Sequence, residues 1–122
     1  MPRAVLDEDH IHPAIRPKVT GNQQQIVREV MDAVRANDVV VVGMGMNPFP
    51  KKARTALMEA AQPFKYLEYG DYLSRWRERN ALKMWTGWPT FPMVFVKGTL
   101  VGGNDDLRAL LESGELKRLL QS

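Results

Sequence analysis

Four consecutive valines, Val39 to Val42, constrain the fold more than any other stretch of this sequence. A continuous β-branched run without alternating polar residues is typical of a strand that is buried on both faces, and such strands are usually central and often parallel. Gly43 ends the run. Because a strand of this kind needs helices on both faces of its sheet, the run predicts an α/β domain.

Periodicity and turn residues predict the other elements. Apolar positions at helical spacing indicate helices, alternation indicates half-buried strands, and a Lys97-Gly98 turn indicates a tight hairpin. Asp71 is a natural N-cap for the helix that follows it, and Asn104 or Asp105 can cap the helix after the hairpin. The predicted elements after the first 22 residues are a helix over 23–36, the valine strand, a helix over 51–61, a strand over 64–68, a helix over 72–84, strands over 93–96 and 99–101, and two short leucine-rich helices.

The order of these elements is α-β-α-β-α-β-β-α-α. The first two strands and the helix between them form a right-handed βαβ unit, and the hairpin completes a four-stranded mixed sheet flanked by helices on both faces. Residues 1–22 contain three prolines and no periodicity, so they are predicted to form an irregular N-terminal arm. Residues 23–122 are predicted to form the single domain.

Composition excludes several classes of function. The 122 residues include no cysteine, which removes disulfides, thiolate metal sites and cysteine nucleophiles together. The net charge of +3 is mild and spread out, so neither nucleic acid nor a membrane surface is an expected partner. No apolar run spans a bilayer and no signal pattern opens the chain, so a cytoplasmic location is expected. His10 and His12 lie in the predicted arm, where no rigid metal site is expected.

A second informative stretch runs from Trp88 to Val96, with Pro89 and Pro92 before an apolar run. Pro92 cannot donate to a central ladder, so the strand is expected to begin after it, at Met93. An X-Pro bond is also the peptide bond that adopts the cis form at low cost. The stretch is therefore interpreted either as a rigid joint between loop and strand or as a cis-proline turn that presents backbone groups to a ligand.

Three motifs together resemble the glutaredoxin family of the thioredoxin-fold superfamily. They are the Trp88-Pro89-Thr90-Phe91-Pro92 string, which is similar to that of monothiol members, the turn from Val101 to Asp105, and the segment from Glu112 to Leu116. The similarity extends from about Ile26 to Leu120. It implies the thioredoxin/glutaredoxin fold and a cis peptide bond before Pro92.

The resemblance also locates a lost active site. Members of the family begin the helix after the first strand with Cys-Pro-Tyr-Cys or Cys-Gly-Phe-Ser, and the matching positions here are Asn47, Pro48, Phe49 and Pro50. Thiol–disulfide exchange requires a thiolate, and an asparagine amide is not a nucleophile. No catalytic residue, no disulfide reductase activity and no iron–sulfur cluster are therefore expected. Asn47 and Pro48 instead suit the N-cap and first position of a helix.

About half of the family's glutathione pocket is matched. The position of its lysine before the active-site loop holds Met44, so that charge is missing and glutathione binding is expected to be weak. Arg79 matches an arginine that pairs with a glutathione carboxylate, although a solvated helix face is an equal alternative, as is helix capping for Asn104 and Asp105. The candidate binding residues that the resemblance implies are Arg79, Thr90, Phe91, Pro92, Gly103, Asn104 and Asp105.

Two functions remain open at this point. The first is a redox-inactive module of redox homeostasis that binds glutathione, an extended peptide or a protein partner through the old pocket. The alternative is a glutathione-dependent enzyme of transferase-like type, in which Asn47 hydrogen-bonds the thiol of bound glutathione. The retained scaffold and the missing nucleophile favour the first function.

Overall fold

A computed structural model describes residues 3–121 as a single sheet with helices on both faces. The helices are α1 (Arg16–Thr20), α2 (Gln24–Ala36), α3 (Pro48–Glu59), α4 (Trp76–Thr86), α5 (Asn104–Ser113) and α6 (Glu115–Gln121), and the strands are β1 (Val39–Gly43), β2 (Lys65–Glu68), β3 (Met93–Val96) and β4 (Thr99–Gly102). The strand order is β2-β1-β3-β4, with β1 parallel to β2 and antiparallel to β3, and β3 antiparallel to β4. The predicted four-stranded mixed sheet is confirmed.

The valine strand β1 explains why the domain has two cores. Val40 and Val42 belong to the core that α2 and α4 cover, whereas Val39 and Val41 belong to the core beneath α3, α5 and α6. All four side chains are at most 1% exposed. Successive side chains of a strand point to opposite faces, so only an unbroken apolar run satisfies both cores.

The helix α4 begins later than its sequence predicts. Asp71 does not cap it: the Asp71 carboxylate accepts from the backbone N–H of Leu73 at 2.8 Å and from the Ser74 hydroxyl at 3.2 Å. These contacts form a local turn, which competes with helix formation, and the helix starts at Trp76 instead of residue 72. The hairpin is confirmed, since Lys97 and Gly98 both have the positive φ of a tight two-residue turn.

The arm before α2 contains some regular structure, so the prediction of an irregular segment was wrong in part. A 3-10 turn covers Glu8–His10 and α1 covers Arg16–Thr20. Arg16 holds the two together, because its Nε donates to the carbonyls of Glu8 at 3.0 Å and Ile11 at 2.8 Å. Elements this short show no hydrophobic periodicity, which is why the sequence pattern missed them. Within residues 3–121 no helix has the length and apolar character to cross a bilayer.

Candidate functional site

The start of α3 is built by Asn47 and two prolines. The Asn47 side chain accepts from the backbone N–H of Phe49 at 3.0 Å, which makes Asn47 the N-cap and Pro48 the first helical residue, as predicted. Pro50 is buried against β1, and a Cβ on Gly43 would lie only 2.7 Å from the Pro50 Cβ. The loop that carries the degenerate active-site positions is therefore a well-capped helix start packed closely on the sheet.

The same helix start offers little to an anion. Helix N-termini bind anions through backbone N–H groups that have no partner within the helix. Pro48 and Pro50 have no N–H, and the N–H of Phe49 is already bonded to Asn47. A thiolate placed here would find few donors, which agrees with the loss of the nucleophile.

The turn before β3 faces this helix start. The Phe91–Pro92 peptide bond is cis, as the family resemblance implied. The Asn47 amide nitrogen donates to the Phe91 carbonyl at 3.4 Å, so the residue at the lost nucleophile's position joins the two loops. The Phe91 side chain is buried in the core that α2 and α4 cover.

A cleft of about 240 Å³ lies beside this turn, and we name it the Trp88 cleft. Its lining residues are Phe49, Trp88, Thr90, Phe91, Pro92, Gly103, Asn104, Asp105 and Asp106. Six of the seven candidate binding residues that the family resemblance implies are therefore brought together. Trp88 belongs to the motif that ends at Pro92, and Asp106 lies in the first turn of α5. The sequence did not assign either residue to the site.

Two polar atoms in the wall of the Trp88 cleft have no partner. The Oδ1 of Asn104 and the Nε1 of Trp88 are both buried, and neither makes a hydrogen bond within residues 3–121. The Trp88 Nε1 is close to Gly103, where a Cβ would be 3.6 Å from it. Buried polar groups are almost always satisfied, so an unpaired acceptor and an unpaired donor in one cleft indicate a place for a ligand or water.

The first turn of α5 forms one side of the cleft, but its cap differs from the prediction. Neither Asn104 nor Asp105 caps the helix: Gly103 is the N-cap, and its N–H donates to the Asp106 carboxylate at 3.0 Å. A carboxylate three positions into the helix can reach back to the cap, so a glycine suffices there. The capping alternative for Asn104 and Asp105 was wrong, and both residues are free to face the cleft.

Arg79 is not part of the cleft. Its side chain is only 7% exposed, and its Nη1 donates to the carbonyls of Ser74 and of Tyr69, the latter at 3.0 Å. The structure therefore places it neither on a solvated helix face nor at the predicted ligand site. Its guanidinium instead holds the loop between β2 and α4, which sequence spacing from Trp88 could not reveal.

Met44, at the position of the family's lysine, is buried in the core that α2 and α4 cover. Its burial leaves no cation at this position of the site. In the described part of the chain, no three His, Cys, Asp or Glu side chains are arranged to hold a metal ion. His12 has a structural contact instead, because its Nδ1 accepts from the backbone N–H of Ala14 at 3.0 Å.

Two tyrosines that follow α3 are expected to make the stability of the fold decrease at alkaline pH. Burial and the hydrogen bond to Glu68 raise the pKa of Tyr66 from 10.0 to about 12, and burial and the bond to Glu29 also raise the pKa of Tyr69. The folded state therefore retains phenol protons that the unfolded state loses, so stability is highest below the ordinary tyrosine pKa and falls as the pH rises above it. Urea unfolding at several pH values between about 9 and 12 measures this decrease in the free energy of unfolding. Tyr66→Phe should make the free energy of unfolding fall less steeply with pH. Tyr72→Phe, at an exposed site, should leave the pH dependence unchanged. If both variants show the same slope, the raised pKa of Tyr66 does not cause the loss of stability.

The glutaredoxin family model matches residues 39–101, from β1 to β4 and just over half of the chain. The chain belongs to the glutaredoxin family. A glutaredoxin-like protein of Dictyostelium discoideum is 46% identical over 98 residues, which cover 80% of each chain. Glutaredoxin 4 of Haemophilus influenzae is 40% identical over 72 residues, which cover 59% of this chain and 64% of the relative.

Solved structures of the glutaredoxin family share the fold. Oxidized glutaredoxin 2 from Chlamydomonas reinhardtii is 31% identical with a TM-score of 0.70, covering 82% of this chain and 94% of that one. A buckwheat glutaredoxin–glutathione complex gives a TM-score of 0.72 at 22% identity, covering 83% and 92%. This glutaredoxin-family protein contains no cysteine, so it has the family's scaffold without a thiol nucleophile.

Proposed function

We propose that this glutaredoxin-family protein is a redox-inactive binding module, which holds glutathione or another extended peptide in the Trp88 cleft. The observation that carries the proposal is the pair of unpartnered buried atoms, Asn104 Oδ1 and Trp88 Nε1. Each such atom costs about 1–3 kcal/mol when nothing satisfies it. A ligand with both a donor and an acceptor removes both costs at once.

The polar groups of the cleft suit the α-carboxylate and α-ammonium groups of an amino acid. The N–H groups of the first turn of α5 have no helical acceptors and favour a carboxylate. The Asn104 Oδ1 and the carboxylate of Asp105, which also lines the cleft, accept from an ammonium group. An α-carboxylate beside an α-ammonium is the end that the γ-glutamyl residue of glutathione presents.

The backbone of Phe91 supports an extended ligand next to this end. In the described part of the chain no atom accepts from the N–H of Phe91, and the bond from Asn47 to its carbonyl is long, at 3.4 Å. An extended peptide can therefore pair with both groups in the manner of an added strand. A buckwheat glutaredoxin of the same fold has been solved with glutathione, which supports this choice of ligand.

Weak affinity follows from the cations that are missing or already engaged. Met44 carries no charge, and the guanidinium of Arg79 is bonded to backbone carbonyls. One absent charge-assisted hydrogen bond corresponds to about 1–3 kcal/mol of binding free energy. Binding of glutathione is therefore expected to be weak.

The transferase-like alternative depends on Asn47, and its amide is engaged at both ends. Its oxygen accepts from Phe49 and its nitrogen donates to Phe91, which leaves one N–H for a glutathione thiol. The binding role is therefore favoured. Incubation of the protein with glutathione and a model electrophile distinguishes the two functions: the rate should equal the uncatalysed rate, and saturable turnover would establish the enzyme.

Titration of the ¹⁵N-labelled protein with glutathione should shift the amide resonances of Phe91, Asn104 and Asp105. Asn104→Ala should weaken binding about tenfold, because it removes one hydrogen bond to a charged group. Asn22→Ala, at an exposed position away from the cleft, is the matched control. If these resonances do not move at high millimolar glutathione, the protein does not bind glutathione in this cleft.

A further inference from the structure

We infer that the exposed face of α4 is a contact surface for a second copy of this chain, with the two α4 helices packed antiparallel about Asn80. The surface consists of Leu73, Trp76, Asn80 and Met84, and we name it the α4 stripe. None of these residues lines the Trp88 cleft, so the inference does not depend on the proposed function.

The α4 stripe is largely apolar, although the fold leaves it uncovered. Trp76, Asn80 and Met84 follow one another at intervals of four residues, which places them on one side of the helix. The opposite side of α4 carries its buried residues, including Leu82. Leu73 is 86% exposed, Met84 67% and Trp76 57%. Large apolar side chains that share one exposed face indicate an interaction surface.

The N-terminal end of the α4 stripe is held in position by its neighbours. The guanidinium carbon of Arg77 lies 5.2 Å from the centre of the Trp76 ring. The backbone N–H of Leu73 donates to the Asp71 carboxylate at 2.8 Å, which fixes the backbone of the turn that carries Leu73. Groups that are ordered before association lose less conformational entropy when they bind. Part of the stripe is therefore ready for a partner.

The order of residues along the α4 stripe is self-complementary, which favours a second copy over a different partner. Trp76 and Met84 lie four residues to either side of Asn80, about 6 Å along the helix axis in each direction. An antiparallel two-fold pair centred on Asn80 therefore brings Trp76 of each copy beside Met84 of the other. The contact of a methionine sulfur with an aromatic ring is favourable.

Asn80 gives this pairing a single register. An amide side chain has both a donor and an acceptor, so two Asn80 side chains that meet on the two-fold axis can bond to each other. A shifted register would place each amide against an apolar side chain, where its desolvation costs free energy. A single asparagine in an apolar seam specifies the alignment of paired helices in the same way.

Sedimentation equilibrium tests the contact. The average mass of the wild-type protein should rise from monomer towards dimer between about 10 µM and 1 mM, since one helix face is a small interface. Met84→Lys, which puts a charge into the apolar seam, should weaken association about tenfold or more. Met58→Lys, at an equally exposed position on α3, is the matched control and should change nothing. A wild-type protein that stays monomeric at about 1 mM would overturn the inference, even if it sediments with phosphatidylglycerol vesicles through the same residues.

The absence of cysteine allows a direct test of the two-fold axis. The single thiol of Asn80→Cys meets the same thiol of the second copy on the axis, within the distance that a disulfide spans. Oxidation with diamide should therefore cross-link this variant at least about tenfold faster than Met58→Cys, whose thiol lies away from the stripe. Equal rates for the two variants, or a wild-type dimer that Met84→Lys does not weaken, would overturn the antiparallel contact at Asn80.

Discussion

Asn47→Cys should convert a protein without disulfide reductase activity into a poor reductase. The unaltered chain contains no cysteine and should show no turnover in a glutathione-coupled assay with a small mixed disulfide. In the variant, the new thiolate sits at the N-cap of α3 and can accept from the N–H of Phe49, the group that Asn47 now bonds. Activity should therefore appear, because the fold already places this position beside the cis-proline turn.

The variant should still remain well below an ordinary glutaredoxin. Pro50 removes a backbone donor from the first turn of α3, and Met44 provides no charge for glutathione. Loss of one charge-assisted hydrogen bond, at about 1.5–3 kcal/mol, corresponds to roughly 10–100-fold in rate. Asn47→Ser is the matched control, since it retains a capping oxygen and has no thiol. Turnover by the unaltered chain would overturn the assignment of a silent active site.

The double role of Asn47 explains how the site can lose its chemistry and keep its shape. Its oxygen caps α3 and its nitrogen reaches Phe91, so the two loops of the former active site stay joined. Pro48 and Pro50 have no N–H, and the Asn47 oxygen accepts from the N–H of Phe49 that lies between them. The substitution is therefore consistent with a binding role in which the backbone of Phe91 is kept in place.

Sequence patterns predicted the sheet because its signals are local. The valine run determines β1, and the Lys97-Gly98 turn determines the β3–β4 hairpin, with no need to know distant neighbours. Most of the Trp88 cleft was predicted for a related reason. Its residues belong to two short motifs, one before β3 and one after β4, and these strands pair directly.

Other features depended on side-chain contacts that the sequence pattern does not reveal. The turn at Asp71 is stabilised by a buried guanidinium eight residues further along, so a good capping residue did not start a helix there. The stacking of Arg54 on Tyr66 joins α3 to β2, and nothing in either segment alone predicts it. A sequence pattern places charged side chains on solvated faces. In the structure, however, Arg54 and Arg79 are held in place by contacts with other parts of the fold.

Arg79→Met should destabilise the protein by about 3 kcal/mol and leave the Trp88 cleft able to bind. The buried guanidinium donates to the carbonyls of Tyr69 and Ser74, and a methionine of similar length would leave both acceptors unsatisfied. Those carbonyls belong to the loop that begins after β2. The midpoint of urea unfolding should therefore fall, with little change in the slope.

The effect of Arg79→Met extends to the degenerate active site through one contact. The N–H of Gly45 donates to the carbonyl of Gly70 at 2.6 Å, so the loop that Arg79 holds also supports the segment before Asn47. Arg77→Met, an exposed position on the same helix, should change stability by less than about 0.5 kcal/mol and is the matched control. If Arg79→Met instead keeps the unfolding midpoint and abolishes glutathione binding, then Arg79 contacts the ligand after all. A lower midpoint with retained amide shifts at Asn104 would show that Arg79 supports the loop and does not contact the ligand.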